Sequence, residues 1–204
     1  MKTLEWQQYI EEQGRVHGKN LFTVAELANA ARTSPQALNV ELGRLRKKGL
    51  IVQYGRGIYG HKDSVTPEQL VPYLDSRAYI TSTSAFYRHG LLTQVPMRFT
   101  CFTNRRHNRS RERSTPLGPF VFVCVKEPIY RPPSSGVVAP PEQALLDFVY
   151  LMRRGGVDPG EIVGFRGLDR IRPSLVKQIS RRYPSTVRNQ ALHILGMNTA
   201  ESME

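Results

Sequence analysis

The sequence predicts an α+β fold: a small helical module ending in a β-hairpin, then a mixed α/β domain with a small sheet and several helices. Three observations carry this expectation. Apolar residues recur at helical spacing as far as Gly49. Two short β-prone runs follow, Leu50 to Tyr54 and Gly57 to Gly60, pinched by glycine. Beyond residue 66, helical patterns flank two strand-like runs, Met97 to Thr103 and Phe120 to Lys126. Hydrophobic residues make up 40% of the 204, which is enough for a packed core and argues against wholesale disorder.

Leu4, Trp6, Tyr9 and Ile10 mark a first helix, with Gly14 and then Gly18 as the residues that close it. Thr23 is a plausible N-cap for a second helix through Val24, Ala25, Glu26, Leu27 and Ala28. A linker, Ala31-Arg32-Thr33, leads to Ser34-Pro35. Serine as cap with proline in the first helical position is a specific start signal, because the N–H that proline lacks would be orphaned there anyway. The third helix runs to Lys48 and stops at Gly49, and Leu38, Leu42 and Leu45 fall in one narrow stripe. Gln36, Val40, Gly43 and Lys47 lie opposite, flanked by Asn39, Arg44 and Arg46. The hairpin that follows has a basic tip at Gly55-Arg56-Gly57.

Three helices followed by a basic hairpin is the order of a winged helix-turn-helix, and it sets a first domain at residues 1–62. A helix is slim enough for the DNA major groove, where Gln and Asn can pair with adenine and Arg or Lys with guanine. Base contacts are expected from Gln36, Asn39 and Val40. Phosphate contacts are expected from Thr23, Arg32, Ser34, Arg44, Lys47 and Arg56, with Thr33 beside them in the turn. A helix start such as that at Thr23 offers free N–H groups and a favourable dipole to an anion. The competing reading is a winged helix used only for protein contact, in which Lys47 and Lys48 are solvated cations at a helix C-terminus.

Charge favours a polyanionic partner. Lys and Arg number 29 against 17 Asp and Glu, a net +12. Residues 1–65, 66–135 and 136–204 contribute +4, +6 and +2. Such an excess attracts polyanions, but it does not separate DNA from RNA, a membrane surface or an acidic protein.

The second domain is expected over residues 66–197, with 198–204 a disordered tail. Thr66 caps a helix with Pro67 in its first position, followed by Leu70, Val71 and Leu74. Another helix runs from about Ser82 to His89 and ends at Gly90. His89 reads as a C-terminal residue facing the helix dipole, since no acid or nucleophile nearby completes a catalytic set. Between the two strand-like runs lie Arg105, Arg106, Arg109, Arg111 and Arg113. This block repels itself and predicts a mobile loop or ragged edge, either merely solvated or clamping phosphates, which the arginine fork suits. After Pro140-Pro141 a strong helix presents Ala144, Leu145, Phe148, Leu151 and Met152 as its buried face, and Gly155-Gly156 ends it. Glu142 and Asp147 stand about 140° apart around that helix and read as capping and solvating it. Leu175, Val176 and Ile179 mark one further helix. Val187, Ala191, Leu192 and Leu195 mark another, and Pro184-Ser185 separates the two.

Several classes are argued against. Cys101 and Cys124 alone exclude a disulfide scaffold and a four-cysteine zinc site, and both sit in apolar runs as core thiols. No metal or cofactor is expected. Residues 66–135 hold only Glu68, Asp75, Glu112 and Glu127 as acids, which is poor material for a metal-dependent nuclease. The sequence has no phosphate-binding glycine loop and no nucleophile elbow, so the chain is not expected to be an enzyme. No apolar run approaches the ~18–20 residues that cross a bilayer, and a cytoplasmic protein with no membrane partner is expected. An RNA-binding role for the arginine block stays open. RNA recognition usually adds aromatic platforms, and only Phe99 and Phe102 lie near the block in sequence.

Three stretches carry a family resemblance: Tyr79 to Leu92, with Ser-Ala-x-x-x-His-Gly-Leu at Ser84 to Leu91; Ala139-Pro140-Pro141-Glu142-Gln143-Ala144-Leu145-Leu146-Asp147; and the wing end Gly57-Ile58-Tyr59. With the three in their order along the chain, over about residues 1 to 196, the sequence resembles the AbiEi-type antitoxins of abortive-infection toxin–antitoxin systems. It departs from them in its double proline, where threonine–proline is usual, and in Gln143, where a basic residue is common. The resemblance implies an N-terminal winged helix that binds inverted repeats in the chain's own promoter, and a C-terminal antitoxin domain. It also implies a nucleotidyltransferase-like toxin countered without a stable complex, and a monomer that binds DNA cooperatively.

Overall fold

The computed structural model describes residues 1–108, 110–159 and 166–197, so Arg109 and the tail expected at 198–204 lie outside the described residues. The architecture is mixed α+β, with eight α-helices and two small sheets among the described residues. None of these helices is long and apolar enough to cross a membrane. The chain divides into two compact units, Met1–Ser76 with Arg113–Pro119 and Arg77–Glu112 with Phe120–Glu204.

The first unit holds α1 (Thr3–His17), β1 (Leu21–Thr23), α2 (Val24–Ala31), α3 (Pro35–Lys47), β2 (Val52–Gly55), β3 (Ile58–Gly60) and α4 (Pro67–Leu74). Its helix starts follow local chemistry. The Thr23 hydroxyl accepts from the Glu26 N–H while the Glu26 carboxylate accepts from the Thr23 N–H, a reciprocal capping box. Ser34 accepts from the Ala37 N–H ahead of Pro35, and Thr66 exchanges bonds with Gln69. Gly14 does not close α1, which continues to His17 and ends at Gly18 in the left-handed region (φ 62). At Gly14 a Cβ would lie 2.9 Å from Asn20 Oδ1, so that glycine makes room inside the helix.

The three-stranded sheet has the order β1-β3-β2, with both pairs antiparallel. β1 went unanticipated, because three residues are too short to display a period of two. It completes the hairpin by setting Leu21, Phe22 and Thr23 opposite Gly60, Tyr59 and Ile58. Trp6, Ile10, Phe22, Leu27, Leu38, Leu42, Leu45, Ile51 and Tyr59 form the core. Helix α4, expected to open the second domain, belongs to this unit, where the Tyr73 hydroxyl donates to the Leu21 carbonyl at 3.1 Å.

The second unit contains β4 (Tyr79–Ile80), α5 (Ser82–Arg88), β5 (Phe99–Thr103), β7 (Phe120–Cys124), α6 (Pro141–Arg154), α7 (Pro173–Ser180) and α8 (Ser185–Ile194), and a short 3-10 turn at Leu168–Arg170. With the two-residue strand β6 (Glu112–Arg113), the sheet order is β4-β5-β7-β6. β5 and β7 are parallel neighbours in register from Phe99↔Phe120 to Thr103↔Cys124. The arginine block is therefore part of a crossover, and β6 gives the sheet an edge within it. Of the two cysteines, Cys101 is fully buried and Cys124 only half-buried.

Helix α6 departs most from expectation. Instead of one buried stripe, all eight residues from Glu142 to Val149 are buried, while Leu151 and Met152 are only half-covered. α5, α7 and α8 all pack on this helix, and a stretch surrounded in this way has no solvent face from Glu142 to Val149. Glu142 and Asp147 are accordingly interior groups and not solvating ones. Glu142 accepts from the Arg172 N–H and from Arg172 Nε at 2.9 Å, fixing the start of α7. Burial alone would raise the Glu142 carboxyl, but the Arg172 hydrogen bonds and charge, with backbone N–H donation, hold it below the ordinary carboxylate range.

Asp147 accepts from Thr81 Oγ1 at 2.7 Å, from the Tyr183 hydroxyl at 2.6 Å and from the Tyr79 hydroxyl at 3.3 Å. Burial pushes its carboxyl up to about 7 against these three donors, which favour the charged form. The folded state therefore holds a proton that the unfolded chain, with its carboxyl near 3.8, releases between those two values. Stability contributed at Asp147 falls as pH rises through that window and levels off above it. Asp147→Asn, which cannot ionise, is expected to lose that slope. In thermal unfolding followed from pH ~4 to ~8, the ordinary range from carboxylate titration upward, the variant should gain on the wild type as pH rises. A pH-independent difference would show that Asp147 ionises in the folded state as freely as in the unfolded chain.

Candidate nucleic-acid interface

α3 is a helix with two opposed assignments. Leu38, Leu42 and Leu45 are each about 1% exposed and seat it in the core. Because these three positions are fixed, the helical period turns Gln36, Val40, Gly43 and Lys47 outward on one face. Gln36, Asn39, Val40, Arg44 and Lys47 are all exposed. Val40 stands out as an apolar side chain 63% exposed among polar ones, chemistry that suits contact with a thymine methyl group. Arg44 lies 3.5 Å from Glu41 on its own helix, and in so exposed a pair the attraction is weak. Lys48 points elsewhere and donates to Thr3 Oγ1 at 2.8 Å, fastening α3 to α1.

The turn before α3 places Arg32, Thr33 and Ser34 at the surface. Arg32 takes the left-handed conformation (φ 51) as the C-cap of α2, and the Thr33 N–H closes on the Ala28 carbonyl. Ser34 combines an exposed position with the N-cap of α3. At Thr23 the arrangement is different. Its N–H and its hydroxyl both donate to Glu26 Oε2, and Lys19 pairs with the same carboxylate. Burial works to raise Glu26, but the Lys19 hydrogen bond and the Thr23 donors hold it below the usual range. The start of α2 already carries its own anion, so an incoming phosphate at Thr23 meets a carboxylate.

The hairpin tip is a two-residue turn, Arg56-Gly57, with Gly57 in the left-handed region (φ 73). The Gly57 carbonyl accepts from the Val24 N–H at 3.1 Å, which ties the tip to α2 and leaves Arg56 exposed. The sequence-predicted residues of the first unit thus divide into the α3 face, the turn before it, a single cation on the tip and Thr23 at the start of α2.

The described arginines of the block do not all line one site. Arg106 and Arg111 line a cleft of the second unit that does not include Arg105 or Arg113. Arg113 lies in β6, and Arg109 is outside the described residues. His89 ends its helix as expected and has a second part besides. It occupies the C-cap of α5, but its Nε2–H donates to the Ala139 carbonyl at 2.8 Å, joining α5 to the entry of α6. Among the described residues, no three His, Cys, Asp or Glu side chains group to hold a metal ion.

Gly43 was not singled out as a functional position, although the helical wheel had placed it on the outer face. A Cβ there would meet nothing within 4 Å, so packing gives no reason for glycine in a helix interior. Glycine there lets another backbone approach closely. No protein-family model matches the chain, and no curated protein matches it in sequence. Gly43→Ala is expected to raise the unfolding free energy by about 0.5–1 kcal/mol while weakening binding at the α3 face. Urea unfolding and a duplex titration check the two halves. A stabilised variant with unchanged affinity would show that no close approach occurs at Gly43.

Proposed function

We propose that this protein is a sequence-specific DNA-binding repressor whose first unit is a winged helix-turn-helix with α3 as the recognition helix. The observation that carries this reading is the division of α3. Its leucines seal it to the core, while Gln36, Asn39 and Val40 stand exposed over its first turns, where recognition helices reach base edges. The Arg32–Ser34 turn and Arg56 supply phosphate contacts. The net charge of +12 supplies the long-range attraction that all duplexes share.

The wider role follows from the resemblance to AbiEi-type antitoxins. On that basis the chain is a cytoplasmic, non-enzymatic antitoxin of a two-gene phage-defence system. It represses its own operon as a monomer that binds inverted repeats cooperatively. Its second unit counters a nucleotidyltransferase-like toxin without forming a stable complex.

Fluorescence anisotropy with the DNA just upstream of the gene, against a scrambled duplex at two salt concentrations, tests the repressor reading. Binding at least about a thousandfold tighter to the upstream DNA is expected, near the lower end of typical specificity ratios. Gln36→Ala and Asn39→Ala should each cost ~1–3 kcal/mol on the upstream sequence and flatten the preference. Lys47→Ala should weaken both duplexes alike and reduce the salt slope by about one. An affinity unmoved by all three changes would sink the assignment of α3 as the recognition helix.

A further inference from the structure

The second unit has a cleft of about 520 Å³ between the arginine-rich crossover, the end of β7 and the last turn of α6. Its volume lies within the range of small-ligand sites. Four permanent cations line it: Arg106 and Arg111 from the crossover, Lys126 after β7 and Arg154 from α6. One carboxylate, Glu127, faces them in the lining. Among the described residues, none of the four cations is held in an ion pair. Elements distant in the sequence thus bring positive charge to one concave place.

Charge alone would suit any anion, but the lining also carries flat aromatic surface. The half-buried His107 ring lies against Phe122, with centroids 4.9 Å apart and 37° between the planes, and Tyr150 of α6 lines the same cleft. Arginine forks bind phosphate oxygens in pairs. Aromatic faces stack bases whatever their identity. The accessible aromatic surface is thus His107, backed by the buried Phe122 of β7, together with Tyr150 of α6.

We propose that this cleft binds a nucleoside phosphate, with Arg106, Arg111, Lys126 and Arg154 on the phosphates and the His107 and Tyr150 rings on the base. Two sources share this chemistry: a free nucleoside triphosphate, and a nucleotide of a single RNA strand. The site is built from other residues than the α3 face and does not rest on the repressor reading.

Cys124 reports on occupancy, because it lines the cleft and is half-buried, whereas Cys101 is fully buried and serves as an internal control. The full-length protein is treated with a thiol reagent, and Cys124 labelling is timed with ATP, inorganic tripolyphosphate, a short single-stranded oligoribonucleotide or a duplex of the same length. With ligand at ten times its Kd, labelling of Cys124 should slow about tenfold. The double substitution Arg111→Gln, Arg154→Gln should abolish the protection and leave unliganded Cys124 labelling and upstream-DNA binding unchanged. Protection by ATP supports the free nucleotide as source; protection by the oligoribonucleotide and not by ATP supports the strand. Equal protection by tripolyphosphate, equal protection by the duplex, or no protection at all would each overturn the proposal. Upstream-DNA titration of the same preparation keeps this outcome distinct from any failure of the repressor reading.

Discussion

Asp147 has no exposed surface, and the three hydroxyl groups that reach it come from β4, from the turn into α5 and from the turn between α7 and α8. A carboxylate left unpartnered at such a site would cost several kcal/mol. Satisfying it fixes Tyr79, Thr81 and Tyr183, and with them the elements that carry these residues. Glu142 does the same for the start of α7, from another side of the same helix. α6 is therefore a buried hub, and its two acids set the positions of the elements around it. Two of the three stretches behind the family resemblance, Tyr79 to Leu92 and Ala139 to Asp147, meet at this hub: Thr81 on Asp147, His89 on the Ala139 carbonyl, and Phe86 against Phe148 with centroids 5.7 Å apart. Their residue types follow from packing and hydrogen bonding, and no catalytic role is needed to explain them.

In the first unit the constraint is apolar. Three leucines anchor α3, and the residues between them are turned outward with no freedom to choose. That outer face retains an exposed valine and a glycine with open space above it, neither of which contributes to burial. Glycine in a helix interior is destabilising by roughly 0.5–1 kcal/mol relative to alanine. A position that gives up stability without gaining packing is where a binding function is to be sought.

The positive charge is shared between the two units. Part lies along α3, the turn before it and the hairpin tip, and part lines the cleft of the second unit. The two places differ in shape and so in the anion they fit. An exposed helix with a small hairpin beside it suits the groove of a duplex. A concave cleft with aromatic lining suits a single nucleotide.

What the sequence determined by itself was local. Thr23, Ser34 and Thr66 each cap the helix predicted to follow them, Gly18 ends α1, and the leucine stripe of α3 is buried as its period requires. Caps and stripes are governed by residues within a turn or two of one another, so a single chain segment displays them. Tertiary structure decided the rest. β1 became a strand only because β3 lay beside it, and β5 found β7 in parallel across the arginine crossover. α6 was covered on every side from Glu142 to Val149, so Glu142 and Asp147 became interior anchors. The arginine block was divided, and Lys126, Tyr150 and Arg154 joined Arg106 and Arg111 around one cleft. These outcomes depend on partners far away along the chain, and neither composition nor periodicity records which distant segments will meet.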